Sequence, residues 1–454
     1  MALSSVPEQT PRQSVFSRKH LDEWILKELP HFADEDQIHK VAQHRHRIWK
    51  HLTSPNASQN AASASDIPDL NVILKKRFDD HFTLTTSRVV KVDQNEHGGK
   101  LLVELSGKNK GKQIETVIIK HSDKRSTVCV SSQVGCQMGC TFCATGLMGK
   151  QANLTAAEIV EQVYHALVID PNCSNLVFMG MGEPLDNASN VLEAIETLSN
   201  PHIFRSTPIP MRRITVSTVG VVPGIRKLTK AGSKIQLALS LHAPNDAIRE
   251  KIVPTSKTFT ISKIFAALDE YQASQQSTKA TTMMEYIMID GVNASAECAH
   301  ELGRLLQNRK CIVNLIPYNP TEAGDRFNYE APSRETTQEF SKIMLGYSIR
   351  CSVRWSSERG QELNAACGQL VLKNNGCSDD TSGGDMEDMG GKKKQPSSSR
   401  ARRKTKQSTK TSKAKEAKAD KSSKRWIYDE YSTLILSSVA LFSIGAGLFA
   451  LRRK

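Results

Sequence analysis

Apolar and polar positions follow three successive patterns along the chain. Residues 14–53 ("SVFSRKHLDEWILKELPHF…HRIWKHL") have helical periodicity and helix-forming residues, and a second helical stretch covers 68–83. Between them "SPNASQNAASASD", 54–66, is a polar, low-complexity break. The segment "SRVVKVDQNEHGGKLLVELSGKNKGKQIETVIIK" then alternates apolar with polar positions around Gly and Asn turns, which predicts a short β-meander. From about residue 126 the period changes again. Six short β-branched, apolar runs appear: "STVCVSSQ" (126–133), "NLVFMGMGE" (175–183), "RITVSTVG" (213–220), "IQLALSLHA" (235–243), "MMEYIMIDGV" (283–292) and "CIVNLIPYN" (311–319). Helical stretches such as "TAAEIVEQVYHAL" and "SAECAHELGRLLQN" lie between them. Runs with little alternation, joined by long helical crossovers, read as parallel strands buried on both faces. The expected architecture is α/β, a (β/α)6 barrel or partial barrel.

Past the last run the pattern collapses. From Gly376 to about Lys424 large apolar residues are almost absent, so this stretch cannot bury enough surface to offset chain entropy and is expected to be disordered. It also explains the charge. Residues 391–425 hold 15 Lys or Arg against two acids, nearly all of the net +14, so the body before them is close to neutral. A basic, flexible tail suits a solvated linker or a sequence-tolerant contact to RNA or anionic lipid. Then "YSTLILSSVALFSIGAGLFAL", 431–451, runs without a charge for a length that spans about 30 Å as a helix. Flanked by "KRWIY" and "RRK", it is expected to be a transmembrane helix acting as a tail anchor, with the body on the cytoplasmic side. A buried core helix is disfavoured because the linker isolates it from any core. The N-terminus lacks the apolar stretch of a secretory signal. The expected organisation is an N-terminal helical accessory domain (1–85), the β-meander (86–122), the α/β core (123–373), the basic linker (374–425) and the span at 431–451.

Each core run ends in polar or small residues: Ser132, Gly182-Glu183, Ser217, Ser240 and His242, Asp290, Asn319. In a parallel α/β barrel these ends meet on the face where active sites are built. Ten cysteines in a chain of this length do not form a disulfide pattern. Three are clustered: "CQMGCTFCATG" spaces Cys136, Cys140 and Cys143 as C-x3-C-x2-C. Structural zinc wants four ligands in tetrahedral closure, and no second C-x2-C is present to complete a ribbon. Gly, Thr and Gln around the thiols argue against core cysteines. The remaining reading is a [4Fe–4S] cluster on three thiolates with its fourth iron open to a substrate.

This spacing after the first barrel strand resembles the radical S-adenosylmethionine (SAM) enzymes, in which the amino and carboxylate groups of SAM chelate the open iron. The chain further resembles the RlmN family of RNA adenine-C2 methyltransferases in "CVSSQVGCQMGCTFCATG", "VFMGMGEPLDN", "ITVSTVGVVPGI", "LALSLHAPNDAIREKIVP", "EYIMIDGVN", "VNLIPYNP" and "AACGQL", in order from about residue 68 to 372. The resemblance implies that Cys136, Cys140 and Cys143 bind the cluster. It implies SAM contacts from Gly182, Glu183, Ser217, Ser240, Leu241, His242 and Asn319, whose carboxylate, hydroxyl, backbone and amide groups suit an ammonium, a ribose, a carboxylate and an adenine. It makes Cys367 the cysteine that carries a methyl group, Cys129 the cysteine that resolves the adduct, and Glu115 the proton acceptor.

Adenine C2 is an electron-poor carbon without a nucleophilic lone pair, so polar methyl transfer from SAM cannot reach it. The resemblance implies two SAM molecules per turnover. One methylates the Cys367 thiolate; the other yields a radical that abstracts hydrogen from that methyl. The carbon radical adds to C2, and Cys129 releases the product as a Cys129–Cys367 disulfide that must be reduced. The partners implied are large-subunit rRNA, with tRNA as a second RNA, an electron donor for the cluster and a disulfide reductant; a monomer is expected. The chain departs from the family at Ala152, where Arg is common, at Glu362, where Asp is commoner, and by one extra residue between Glu115 and Cys129. The N-terminal region matches weakly, and the tail has no counterpart in bacterial members. Two alternatives stand beside this reading: a C8-adenine methyltransferase of the same class, and an inactive membrane-anchored RNA tether. All the motif cysteines and Glu183 are present, which disfavours the tether. A short basic end after the span suits an organelle outer membrane.

Overall fold

The structure, a computed structural model, describes residues 11–34, 36–53, 67–201, 203, 209–275, 281–355 and 369–370. They fall in one compact unit, Met1–Gly376; the second, Cys377–Lys454, lies outside the described residues. The expected span at 431–451 and the expected linker from 377 onward belong to that second unit. Among the described residues no helix is long and apolar enough to cross a membrane.

Three helices precede the sheet: α1 (Arg18–Glu28), α2 (His39–Leu52) and α3 (Val72–His81). Pro30, which cannot donate within a helix, opens the turn that separates α1 from α2. The apolar stripes of α1 and α2 turn inward as Leu21, Ile25, Ile48 and Trp49, all fully buried. The Trp49 indole donates to the Val15 carbonyl at 2.8 Å.

The sheet has ten strands in linear order: β1 (Ser87–Asn95), β2 (Gly98–Leu105), β3 (Gln113–Ser122), β4 (Arg125–Cys129), β5 (Cys173–Phe178), β6 (Ile214–Thr218), β7 (Gln236–Ser240), β8 (Thr282–Met288), β9 (Cys311–Pro317) and β10 (Cys351–Val353). Strands β1 to β4 pair antiparallel, as the alternating segment predicts. Strands β4 to β10 pair parallel. All six predicted runs are strands, and the sheet ends are not paired with each other among the described residues. β10 is a seventh parallel strand that the sequence does not announce, because three residues are too short to show a period.

The crossovers are helical, chiefly α4 (Ala156–Ile169), α5 (Ala188–Leu198), α6 (Val222–Lys230), α7 (Asp246–Ile252), α8 (Ile261–Ser274), α9 (Ala296–Leu306) and α10 (Arg334–Gly346). α4 starts at a capping box: Thr155 accepts from the Glu158 N–H, and the Glu158 carboxylate accepts from Thr155 N–H. One continuous apolar core runs from Phe16 and Trp49 through the sheet to Phe340.

The fully buried Glu161 of α4 joins the N-terminal segment to this core. Its carboxylate accepts from Thr86 N–H at 2.8 Å, from Thr86 Oγ1 at 3.0 Å, and from the Ser87 hydroxyl. The Ser14 hydroxyl is a further partner.

Candidate active site

The loop after β4 carries Cys136, Cys140 and Cys143. Gly135 fixes its entry: it sits at φ +72°, and a Cβ there would meet the Gly149 carbonyl oxygen at 1.8 Å, so only glycine lets the two ends of the loop cross. Donors aim at the sulfurs. Met138 N–H reaches Cys136 Sγ at 3.5 Å, and the backbone of Gly146 and Thr145 donates to Cys143. Burial raises all three thiols, Cys136 to about 12, and nearby thiols and carboxylates add to this for Cys136 and Cys140. Thiols raised by burial give up their protons when metal arrives. Among the described residues no three His, Cys, Asp or Glu side chains converge on a single-ion site. Three cysteines on one loop, with N–H donors on the sulfurs, fit a [4Fe–4S] cluster.

The other predicted residues lie at or just past the C-terminal ends of the parallel strands, and hydrogen bonds tie several of them to neighbouring strand ends. The loop after β5 brings Gly182 and Glu183 beside the cysteine loop, where Gln133 Oε1 accepts the Glu183 N–H at 2.8 Å. The buried Glu183 carboxylate accepts Leu185 N–H at 2.9 Å and Val219 N–H at 2.9 Å, the second reaching across to the end of β6. Burial pushes this carboxyl up to about 7, against the pull of those donors. A bound ammonium would favour its ionised form. Ser217 of β6 and Ser240 of β7 face each other, Oγ to Oγ, at 3.3 Å.

Leu241 and His242 follow, both donating backbone N–H to the Glu285 carbonyl. His242 adopts φ +60° and is buried, with its Nδ1 accepting Ile287 N–H at 3.0 Å and its ring edge-on to Phe142 of the cysteine loop, centroids 5.0 Å apart. Asn319 lies two residues past β9. It is buried, and its Nδ2 finds no partner among the described residues, which is an orphaned donor at the place where an adenine or a carboxylate of SAM is expected. Thr321 Oγ1 donates to the Phe142 carbonyl at 3.1 Å, tying this strand end to the cysteine loop as well.

Cys129 and Glu115 occupy a second locus. The register pairs Val117 with Cys129 and Leu102 with Glu115, so Glu115, Val117 and Cys129 share one face of the sheet, away from α4. Thr116 points the other way, to Gln162 of α4 at 2.9 Å. Lys100 Nζ lies 2.9 Å from Glu115 Oε1, a partner the sequence does not flag. Burial raises the Cys129 thiol to about 12. The register shifts between Lys120 and Ser122, so one residue bulges at the hairpin end and leaves the pairing around Glu115 undisturbed.

Cys367 and Glu362 lie outside the described residues. The residues just after Cys367 are described. Leu370 accepts from Thr145 Oγ1 at 2.6 Å, two residues past Cys143, and Gln369 Nε2 donates to Pro320 O at 3.3 Å, beside Asn319.

Known proteins resemble the whole arrangement. The Radical SAM superfamily matches residues 130–299. A protein of Enterococcus faecalis, named a probable dual-specificity RNA methyltransferase RlmN, is 36% identical over 373 residues, 80% of this chain and 97% of that one. The chain belongs to the RlmN family. The ribosomal RNA large subunit methyltransferase N of Nitrosopumilus maritimus is 40% identical over 319 residues, 67% of this chain and 87% of that protein. A crystal structure of a radical SAM methyltransferase from Sphaerobacter thermophilus superimposes with a TM-score of 0.66 at 34% identity, over 79% of this chain and 99% of that one. As an RlmN family member the chain is a radical SAM methyltransferase, and its cofactors are a [4Fe–4S] cluster and SAM.

Proposed function

We propose that this enzyme methylates C2 of an adenine in large-subunit rRNA, with tRNA as a second substrate. One observation carries the reading: the cysteine loop is hydrogen-bonded to the strand ends that hold the SAM-type side chains and to Leu370, three residues after Cys367. The relatives' names, RNA methyltransferase and dual-specificity RNA methyltransferase, support RNA as the substrate class.

Cys136, Cys140 and Cys143 hold the cluster in this proposal. Glu183 takes the ammonium of SAM, Ser217, Ser240, Leu241 and His242 take its ribose and carboxylate, and Asn319 offers its free amide donor. When bound, cluster and SAM together supply a methyl group and a hydrogen-abstracting radical. The chain does the rest. The Cys367 thiolate accepts the methyl group and, after losing a hydrogen atom from it, becomes joined to adenine C2 through that carbon. Glu115, held at Oε1 by Lys100, takes the C2 proton, and the adduct's one unpaired electron leaves to an acceptor, a role the oxidised cluster would fill when bound. Cys129 then attacks the Cys367 sulfur: the S–S bond forms, the sulfur–carbon bond breaks, and the freed carbon takes a proton to become the methyl group. An external dithiol must reduce the disulfide before the next turnover.

Mass analysis of nucleosides from RNA incubated with the reduced enzyme and SAM should show 2-methyladenosine; 8-methyladenosine instead would move the enzyme to C8 chemistry. Cys367→Ala should abolish methylation while keeping iron–sulfur absorbance, and methylation that survived would break the scheme. We further propose that residues 431–451 anchor the enzyme with its body on the cytoplasmic side, supported by their uncharged length. In cells the body should be digested by protease added outside intact organelles while sedimenting with membranes. A fully soluble protein would rule the anchor out.

A further inference from the structure

Arg249, on the short helix α7, is fully buried, although its segment "NDAIREKI" reads like a solvated charge cluster. Its guanidinium ties three strand-end carbonyls together. Nε donates to Leu241 O at 2.9 Å, and Nη2 to Val219 O at 2.6 Å and to Ser240 O at 3.1 Å. Among the described residues Nη1 has no hydrogen-bond partner. Among the described residues Arg249 forms no ion pair with a carboxylate. A buried cation with one unpartnered nitrogen and no carboxylate in direct contact is costly unless an anion completes the site.

Two anionic groups act on it: the Asp246 carboxylate of the same helix, which lies beyond ion-pair distance, and the cysteine loop. Thr141 N–H donates to Ile252 O of α7 at 3.0 Å. Cys140 and Cys143 pack into the same small apolar cluster as Val219, Ile248 and Ile252, the immediate surroundings of Arg249. Cys140 and Arg249 also influence each other electrostatically.

We propose that Arg249 is the resident counter-charge of the iron–sulfur cluster, and that its fixed positive charge makes the cluster easier to reduce. Three thiolates leave the cluster assembly anionic, and one-electron reduction adds another negative charge. A permanent cation in a dry site therefore favours the reduced state over the oxidised one. The three carbonyl bonds set where that charge sits, so Arg249 acts through position and does not touch the reacting atoms.

The inference rests on Cys136, Cys140 and Cys143 holding the cluster. Iron content of the anaerobically reconstituted wild-type protein tests that reading separately. The test of Arg249 compares the full-length wild type with Arg249→Lys and Arg249→Gln, without RNA, by iron and sulfide content and by a potentiometric titration followed by EPR. Arg249→Gln should lower the equilibrium constant for one-electron reduction at least tenfold, which is 59 mV for one electron. Arg249→Lys, which keeps charge and loses the fork geometry, should stay within about threefold of wild type. A Gln variant that folds without iron beside a fully loaded Lys variant also supports the proposal. If the Gln variant does not fold, the Lys variant decides, with a shift within threefold in favour and one beyond tenfold against. An unchanged Gln midpoint, equal shifts in both variants, or two folded variants both lacking iron would make Arg249 a structural clamp and overturn it.

Discussion

His242 couples the site to pH. Burial holds its imidazole down to about 3, with the charge of Arg249 adding to the effect, and its Nδ1 serves as an acceptor that a proton would remove. The unfolded chain titrates this group near its ordinary value of 6.5, whereas the folded chain keeps it neutral. The stability from this group is therefore fully present above pH 6.5 and is lost as pH falls from there toward about 3. The slope should approach about 1.4 kcal/mol per pH unit. His242→Asn, a residue that also tolerates φ near +60°, should flatten that part of the stability–pH curve in urea unfolding. An unchanged slope would place the acid sensitivity elsewhere. At this scale the sequence is uneven. Cys136, Cys140 and Cys143 stand out because their spacing is itself chemical information. Arg249 and Lys100 do not, because a charged residue among other charges or on an alternating strand looks the same whether solvated or buried.

Elements meet closely where the loops after β4 and β5 cross. Gly182 adopts φ +96°, and a Cβ there would lie 2.5 Å from Gln133 Cβ. Gly111 has a comparable φ of +78° with nothing within 4 Å of its Cβ position. Gly111→Ala should therefore report backbone strain alone, about 1 kcal/mol, and Gly182→Ala strain plus overlap, about 1–3 kcal/mol more. Only Gly182→Ala should also weaken SAM binding, since Glu183 moves with it; calorimetric titration reads this directly, and equal effects of the two variants would deny the overlap. The six long strands are legible because strands buried on both faces are apolar without a break. The short helix Ala144–Leu147 is not, since four residues carry no period and tertiary contact alone fixes it.

At the scale of the molecule, the composition separates a nearly neutral body from a basic tail, and that division was readable from charge alone. How the N-terminal helices attach was not. The bonds that attach them reach far along the chain: Glu161 to Ser14, and Arg18 to Glu196 at 3.2 Å. No local pattern encodes such contacts. The Glu161 carboxylate has a consequence for unfolding. Detaching the helices would take the Ser14 hydroxyl from it and uncover Phe16 and Trp49 of the shared apolar core, a loss of several kcal/mol in all. The helices and the sheet should then melt as one cooperative unit, and a chain ending at Gly376 should give a single calorimetric transition. Two resolved transitions would mean that the Ser14 bond and the shared core do not bind them together. With one transition, no temperature exists at which the helices have let go and the sheet still stands.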